Sequence, residues 1–165
     1  CSLRLLHDRK RNTLPWYRGA PAPLFQKLLG IRPLGHFFFS RLARPQVIRK
    51  VLKEAYARET AVTDELVNLL LTPARDAGAA DVFLAFVRYS QGPLPEDLLP
   101  QLQCPALLIW GAEDPWEPVA LGREFAHYPA VEDFIELAGV GHCPQDEAPE
   151  LVNPLVRDWV AKHSG

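Results

Sequence analysis

The apolar residues of this chain follow two different spacings, and the change comes in its second half. In residues 21–91 they recur every three or four positions, which is the spacing of one face of an α-helix. Gly30 and Pro73 are placed to end helices, and Pro45 and Thr63 are placed to begin them. The first part of the chain is therefore predicted to form several short helices without strands.

Further along, continuous apolar runs predict strands that alternate with helices. Ala106–Trp110 is an unbroken apolar run, as expected for a strand that is covered on both faces. A helix is predicted from Pro118 to about His127, a second strand over Glu132–Leu137, and a final helix from Pro149 or Glu150. This alternation is typical of an α/β fold with a parallel sheet.

Two strands are too few for a stable parallel sheet. An isolated pair is marginal in water, so the remaining strands are expected to come from elsewhere. The chain contains no methionine, not even at position 1. We therefore interpret it as the C-terminal part of a longer domain, in which residues 1–95 are helical and residues 96–165 complete the α/β core. Such a piece would expose an apolar strand edge and is expected to be poorly soluble alone.

Charge is distributed very unevenly along the chain. Residues 1–58 hold thirteen Lys and Arg against two Asp and Glu, whereas residues 59–165 hold five against eighteen. The basic segment either packs against the acidic one or contacts an anionic membrane surface at its periphery. Nucleic-acid binding is not expected, because no basic run is interleaved with aromatic residues.

Several other classes of function are disfavoured by the motifs. The three cysteines form no CxxC pair, and the histidines show no metal-ligand spacing with them. Gly139 and Gly141 lack the third glycine of a dinucleotide-binding loop. No apolar stretch approaches the length of about 20 residues that spans a bilayer. We expect no metal and no cofactor, and a reducing compartment.

An acidic residue and a histidine follow the two predicted strands. Asp114 comes four residues after Trp110, and His142 comes five residues after Leu137. The carboxyl ends of parallel strands share one edge of a sheet, so both side chains are expected there. A histidine at that edge can accept a proton from a nucleophile, and a carboxylate can orient its ring. Alone, Asp114 would be a common turn former. Together, the two residues predict the acid and base of a catalytic triad.

The segments LLIWGAEDPWEP and GVGHCPQDEAPELVNPLV resemble the C-terminal part of the α/β-hydrolase superfamily. Weaker motifs, such as LPWY, VTDELV and GPLPEDLLP, are similar to its plastid and cyanobacterial branch, which contains pheophytinase and chlorophyll dephytylase. The resemblance implies that residues 1–95 form a helical cap and that residues 96–165 hold the last two strands. It also implies that Asp114 is the triad acid, that His142 is the general base, and that the protein is located in the chloroplast; without it, a cytoplasmic location is expected.

The nucleophile of such an enzyme is missing from this sequence. The serines are Ser2, Ser40, Ser90 and Ser164, and none lies in a Gly-x-Ser-x-Gly motif. We therefore predict that the parent protein is a hydrolase and that this chain alone is inactive. Cys143 could offer a thiol beside His142, but a sequence neighbour points away from its partner ring, and we predict that it packs.

Three hypotheses remain open on the sequence alone. The parent protein is a serine esterase acting on an apolar ester, for which the resemblance implies a chlorophyll-type phytyl ester. Alternatively, its nucleophile is an aspartate, as in dehalogenases and epoxide hydrolases. A third hypothesis is a truncated, non-catalytic protein that binds an apolar ligand or a partner. Contacts to the apolar substrate are predicted for Trp116, Val140 and Phe38.

Overall fold

The structure is a computed structural model that describes residues 27–88 and 95–164. Its contacts divide the chain into two compact units. The first comprises Cys1–Val51 and Thr63–Pro93, and the second comprises Leu52–Val62 and Leu94–Gly165. Residues 1–26 and 89–94, which include the basic residues 1–20 and the start of the predicted helical region at 21–91, lie outside the described residues.

The described part of the first unit is helical, as the apolar spacing predicted. Thr63 acts as the predicted N-cap, since its Oγ1 accepts a hydrogen bond from the N–H of Leu66 at 3.1 Å. Among the described residues of this unit there is no strand. The helices are α1 (Arg32–Leu42), α2 (Pro45–Ala55), α3 (Asp64–Leu71) and α4 (Ala79–Arg88), with a 3₁₀ turn at Pro73–Arg75. The residues of α2 from Leu52 onward belong to the second unit.

Contacts between α1 and α4 organise this first unit. The rings of Phe39 and Phe83 lie 5.3 Å apart. Gly35 allows the close approach, because a Cβ at this position would lie 2.6 Å from a methyl group of Leu84. The predicted helical block therefore has packing of its own between two helices that are distant in sequence.

Basic residues from the first part of the chain pair with acidic residues that follow them. These ion pairs lie within each unit, as the interpretation of internal packing predicts. They join Arg32 to Asp81, Arg49 to Asp64, Lys53 to Glu59 and Arg58 to Glu150. Among the residues described, no helix is both long enough and apolar enough to cross a bilayer.

The second unit contains the predicted strands and helices. Its two strands within the described ranges are parallel, as expected from the helical crossover between them. The predicted helix after Pro118 is divided into an α-helical part and a 3₁₀ part. The elements are α5 (Pro95–Leu98), a 3₁₀ turn (Leu99–Gln101), β1 (Ala106–Gly111), α6 (Val119–Arg123) with a 3₁₀ turn (Glu124–His127), β2 (Val131–Leu137), α7 (Pro144–Glu147) and α8 (Pro149–His163).

The register of the sheet places both functional turns at one edge. Gly111, the last residue of β1, is the partner of Leu137, the last residue of β2. Beneath the turn after β2 lies a small apolar cluster, formed by Leu137, Val140, Ala148 and Val152. Residues that follow the two strands are therefore held on the same side of a packed core.

Candidate active site

Two turns, one after each strand, are joined by backbone hydrogen bonds. The N–H of Ala112 donates to the carbonyl oxygen of Leu137, and that of Glu113 donates to Val140, both at 3.0 Å. The Glu113 carboxylate also accepts the N–H of Gly139 at 3.1 Å. We call residues 111–117 the acid turn and residues 139–142 the base turn. Their hydrogen bonds fix the position of one turn relative to the other.

Glycines are needed where these turns touch. A Cβ on Gly111 would lie only 1.9 Å from the carbonyl oxygen of Gly141 and 2.5 Å from that of Val140. Gly139 has a φ of +69°, a backbone conformation that glycine adopts at little cost. The motif GVGHCP therefore satisfies a steric requirement, because the base turn packs directly against the end of β1.

Asp114 uses its two carboxylate oxygens for different partners. Oδ1 accepts the backbone N–H groups of Trp116 and Glu117, each at 2.9 Å. Oδ2 lies 2.8 Å from Nδ1 of His142. Both interpretations of the Asp-Pro turn therefore apply, since the same carboxylate stabilises its own turn and binds the histidine ring.

Burial and hydrogen bonding decide the protonation of this pair. The side chains of Asp114 and His142 are only 6% and 11% exposed. Burial raises the pKa of Asp114, but hydrogen bonds from His142 and from the N–H groups of Glu117 and Trp116 outweigh it and hold the pKa below the usual aspartate range. An ionised carboxylate only accepts, so Nδ1 carries a proton, and in the neutral ring Nε2 is then the nitrogen with the lone pair. The ring is thus set to accept a proton at Nε2.

The fold agrees with a comparison against known families. The profile described as "Alpha/beta hydrolase family" matches residues 7–155. The chain belongs to the α/β-hydrolase family. The family and the fold class predicted from the two motifs are therefore confirmed.

Two individual proteins are also similar to this chain. The chain is 27% identical over 129 residues to chloroplastic pheophytinase of Arabidopsis thaliana, covering 76% of this chain and 26% of that protein. It is 25% identical over 128 residues to the uncharacterized hydrolase YugF of Bacillus subtilis strain 168, covering 78% and 47% respectively. The expected similarity to pheophytinase is present, but the chain spans half or less of the length of either protein.

A solved structure is similar as well. It is a thermophilic esterase from Thermogutta terrifontis with malate bound, and the TM-score is 0.57 at 25% sequence identity. The match covers 75% of this chain and 47% of the esterase chain. An esterase-like structural neighbour therefore accompanies the family assignment.

The predicted substrate-contact residues occupy three different environments. The ring of Trp116 packs edge-on against His142, with ring centres 4.8 Å apart. Val140 is fully buried in the apolar cluster of the second unit. Phe38 is half-buried on α1 of the first unit. The structure thus brings Trp116 to the histidine ring, and substrate contact by all three residues stays a prediction.

Cys143 does not offer a reactive thiolate next to the base. Its side chain is half-buried and free of disulfides. Burial raises the pKa of the Cys143 thiol, and the charges of Asp146, Asp114 and Glu147 raise it further. Since the thiolate is the nucleophilic form, these neighbours make the thiol less reactive.

Sequence reasoning missed the residues that support the base turn from the other side. Ala55, Arg58 and Glu147 all contact residues 139–142. Ala55 and Arg58 lie more than 80 positions before the turn, so no local pattern reveals them. A glutamate between Asp146 and the start of α8 was the only visible signal, and it is equally typical of an exposed helix start.

Within the ranges that the structure describes, no group of three or more His, Cys, Asp or Glu side chains is arranged to hold a metal ion.

Proposed function

We propose that this chain supplies the acid and the base of a serine-type α/β-hydrolase that cleaves an ester of an apolar substrate. One observation supports this assignment above all, namely the 2.8 Å contact between Asp114 Oδ2 and His142 Nδ1 at the carboxyl edge of the strands. This contact leaves Nε2 as the proton acceptor. The similarity to an esterase structure favours ester hydrolysis over other reactions of the family.

In this mechanism His142 moves one proton in each half of the reaction. As a serine hydroxyl attacks the ester carbonyl, Nε2 of His142 takes the hydroxyl proton and the C–O bond to the enzyme forms. The imidazolium then gives this proton to the departing alcohol oxygen. Water repeats the sequence and releases the acid. Asp114 stays ionised throughout and stabilises the imidazolium.

The serine nucleophile is expected outside these 165 residues, since none of the four serines of the chain lies in a nucleophile motif. We therefore expect the 165-residue chain to show no esterase activity alone. Its role is to hold His142, the general base, in position at the carboxyl edge of the strands.

For the substrate, we propose an ester with a long apolar alcohol, such as the phytyl ester of a chlorophyll derivative. Similarity to pheophytinase over 76% of the chain supports this choice. Trp116 beside the His142 ring offers an apolar surface at the reacting centre. A cap formed by residues 1–95, with Phe38 contacting the substrate, and a location in the chloroplast belong to the same proposal.

The test begins with the coding sequence that precedes Cys1 in the transcript. The chain is expressed with and without this addition, and hydrolysis of p-nitrophenyl esters of increasing acyl length is measured. We expect a serine nucleophile motif upstream, activity only in the longer protein, and loss of about 10⁴-fold or more in kcat in His142→Ala. His127→Ala, at an exposed histidine of the same unit, is the matched control and should retain activity.

Other outcomes identify the alternatives. An aspartate at the nucleophile position would assign the protein to the dehalogenase or epoxide hydrolase type. Absence of any nucleophile motif would favour a non-catalytic binding protein. Esterase activity of the 165-residue chain alone, abolished in His142→Ala, would contradict the claim that the nucleophile lies outside it.

A further inference from the structure

Glu147 is a buried carboxylate that the proton transfer does not use. Only 4% of the residue is exposed, yet both carboxylate oxygens have partners. Oε2 accepts the backbone N–H of Gly141 at 2.8 Å, and Oε1 accepts the backbone N–H of Arg58 at 2.6 Å. A buried charge is costly unless it is hydrogen-bonded. The two amides provide that compensation, and the carboxylate joins two segments that are distant in sequence.

The segment that Glu147 holds lies directly against the base turn. We call residues 55–58 the strap. Its first residue, Ala55, accepts the backbone N–H of His142 at 2.9 Å. Its last residue, Arg58, donates from Nε to the carbonyl oxygen of Gly139 at 3.2 Å and pairs through Nη1 with Glu150 at 2.5 Å. The strap therefore contacts the base turn at both of its ends.

Contact between the strap and the base turn is close enough to exclude any side chain between them. A Cβ on Gly141 would lie 2.4 Å from the carbonyl oxygen of Ala55, 2.8 Å from the backbone nitrogen of Ala57 and 3.0 Å from Oε2 of Glu147. The residue before His142 is thus enclosed by the strap on one side and by the Glu147 carboxylate on another. A residue with a side chain does not fit at this position while these contacts persist.

We propose that Glu147 is a positioning residue that clamps the strap onto the base turn and so orients His142. Asp114 fixes only the Nδ1 side of the ring, because its contact with the histidine is a single hydrogen bond. The direction in which Nε2 points also depends on the His142 backbone, which Ala55 holds. Glu147 maintains that arrangement through Gly141 and Arg58. This inference rests on the proposed function, since a defined Nε2 direction matters only for proton transfer.

Glu147→Gln tests the clamp with little change of shape. Glutamine has one acceptor oxygen and one donor NH₂ group, so it can accept only one of the two backbone N–H groups. Its NH₂ group would then face the other N–H, of Gly141 or of Arg58, and that hydrogen bond would be lost. We expect amide hydrogen exchange of Arg58, Gly141 and His142 to accelerate by about tenfold or more, the size associated with a lost bond to a charged acceptor. By ¹⁵N NMR of the ring, the fraction of His142 with its proton on Nδ1 should fall. Strand amides of Ile109 and Ile135 should keep their protection.

Glu150→Gln is the matched control. It removes the same charge from the next turn of chain, but its carboxylate contacts the Arg58 side chain rather than the base turn. The control should leave the His142 tautomer unchanged. If Glu147→Gln also leaves it unchanged, or if the two variants behave alike, Glu147 has no positioning role and the proposal is wrong.

A wild-type measurement decides the matter if Glu147→Gln fails to fold. Because one carboxylate closes both bonds, the amides of Gly141 and Arg58 should open together and exchange through a common opening event. Rapid exchange of the Arg58 amide while the Gly141 amide stays protected would contradict the proposed role of Glu147. These readouts do not involve hydrolysis. A protein with an intact clamp and no esterase activity would refute the proposed function alone.

Discussion

The acid turn and the base turn follow neighbouring strands, yet the residues that stabilise them lie at very different distances along the chain. Asp114 is fixed by backbone amides two and three residues further along the chain. The base turn is fixed by the strap and by Glu147, and the contacts from Arg58 bridge 81 to 92 residues. One functional residue is therefore positioned by its own turn, whereas the other depends on a remote segment.

This difference separates two kinds of positional precision. A carboxylate within an Asx-type turn needs only local sequence to be correctly placed. A general base must direct one nitrogen at a nucleophile, and an error of about 1 Å in such a position costs about a hundredfold in rate. The contacts from the strap supply this additional constraint. Variants that alter one turn at a time can therefore test whether the two modes of support are independent.

The largest effect is expected for Asp114→Asn in a protein that contains the nucleophile. The N–H groups of Trp116 and Glu117 should keep the amide oxygen, which turns the NH₂ group toward His142 Nδ1. The ring would then accept at Nδ1 and carry its proton on Nε2, the wrong nitrogen for a base. We expect kcat to fall by about 10⁴-fold, measured as ester hydrolysis.

Asp114→Asn also tests the comparison in the 165-residue chain. The tautomer of His142 should reverse in the ¹⁵N spectrum, while the His142 amide stays protected by Ala55. If the strap contacts loosen together with the tautomer, the acid turn and the base turn are not supported separately.

The same contrast explains what could be predicted from the sequence. Apolar runs and prolines predicted β1, β2, α8 and the helical block, because these patterns are local. The positions of Asp114 and His142, just after two predicted parallel strands, predicted that both residues lie at one sheet edge. The spacing of these two residues along the edge follows from the register of the sheet, in which Gly111 at the end of β1 pairs with Leu137 at the end of β2. The local half of the site could therefore be predicted from the sequence.

The remote half was not accessible in this way. Residues 52–62 continue a helical pattern, and nothing in their composition indicates that Leu52–Val62 belongs to the same unit as the strands. Glu147 carries no sign of burial either, because an acidic residue before a helix is usually exposed. The burial of Val140, an apolar residue, could not be predicted either, because its place in the turn does not indicate that it is fully buried. Long-range packing decides all of these features.

A large loss of stability is expected where the two turns touch. Gly111→Ala would place a methyl group 1.9 Å and 2.5 Å from two backbone carbonyl oxygens, which cannot move aside as a side chain can. We expect destabilisation of more than about 3 kcal/mol, at the upper end for overpacking, measured by urea unfolding.

Gly139→Ala serves as the comparison. No atom lies within 4 Å of a Cβ at this position, so only the φ of +69° is unfavourable, at a cost of about 1–2 kcal/mol. Equal losses in the two variants would show that the close approach of the turns is not what limits Gly111.

The smallest effect is expected for the unfolding free energy at acidic pH. Hydrogen bonds hold the folded pKa of Asp114 below its usual range, so its ionisation stabilises the fold above the unfolded pKa of about 3.9. That stabilisation is lost as the pH falls through the folded pKa. The difference in unfolding free energy between wild type and Asp114→Asn should narrow as the pH falls below about 4.

Urea titrations at a series of pH values measure this difference. Exposed acids such as Asp81 and Glu136 titrate in both proteins and therefore cancel. A difference that does not change with pH would mean that the acid turn does not depend on the charge of Asp114.

The strap and Glu147 are in contact but lie 89 residues apart in the sequence, and this separation sets an order of events during synthesis. Closing a loop of this length costs conformational entropy that no nearby contact offsets, and pairing between distant segments slows folding. The strap leaves the ribosome long before Glu147 is translated, while the acid turn can form from adjacent residues. His142 should therefore acquire its orientation late in folding, after the carboxylate that it contacts is already in place.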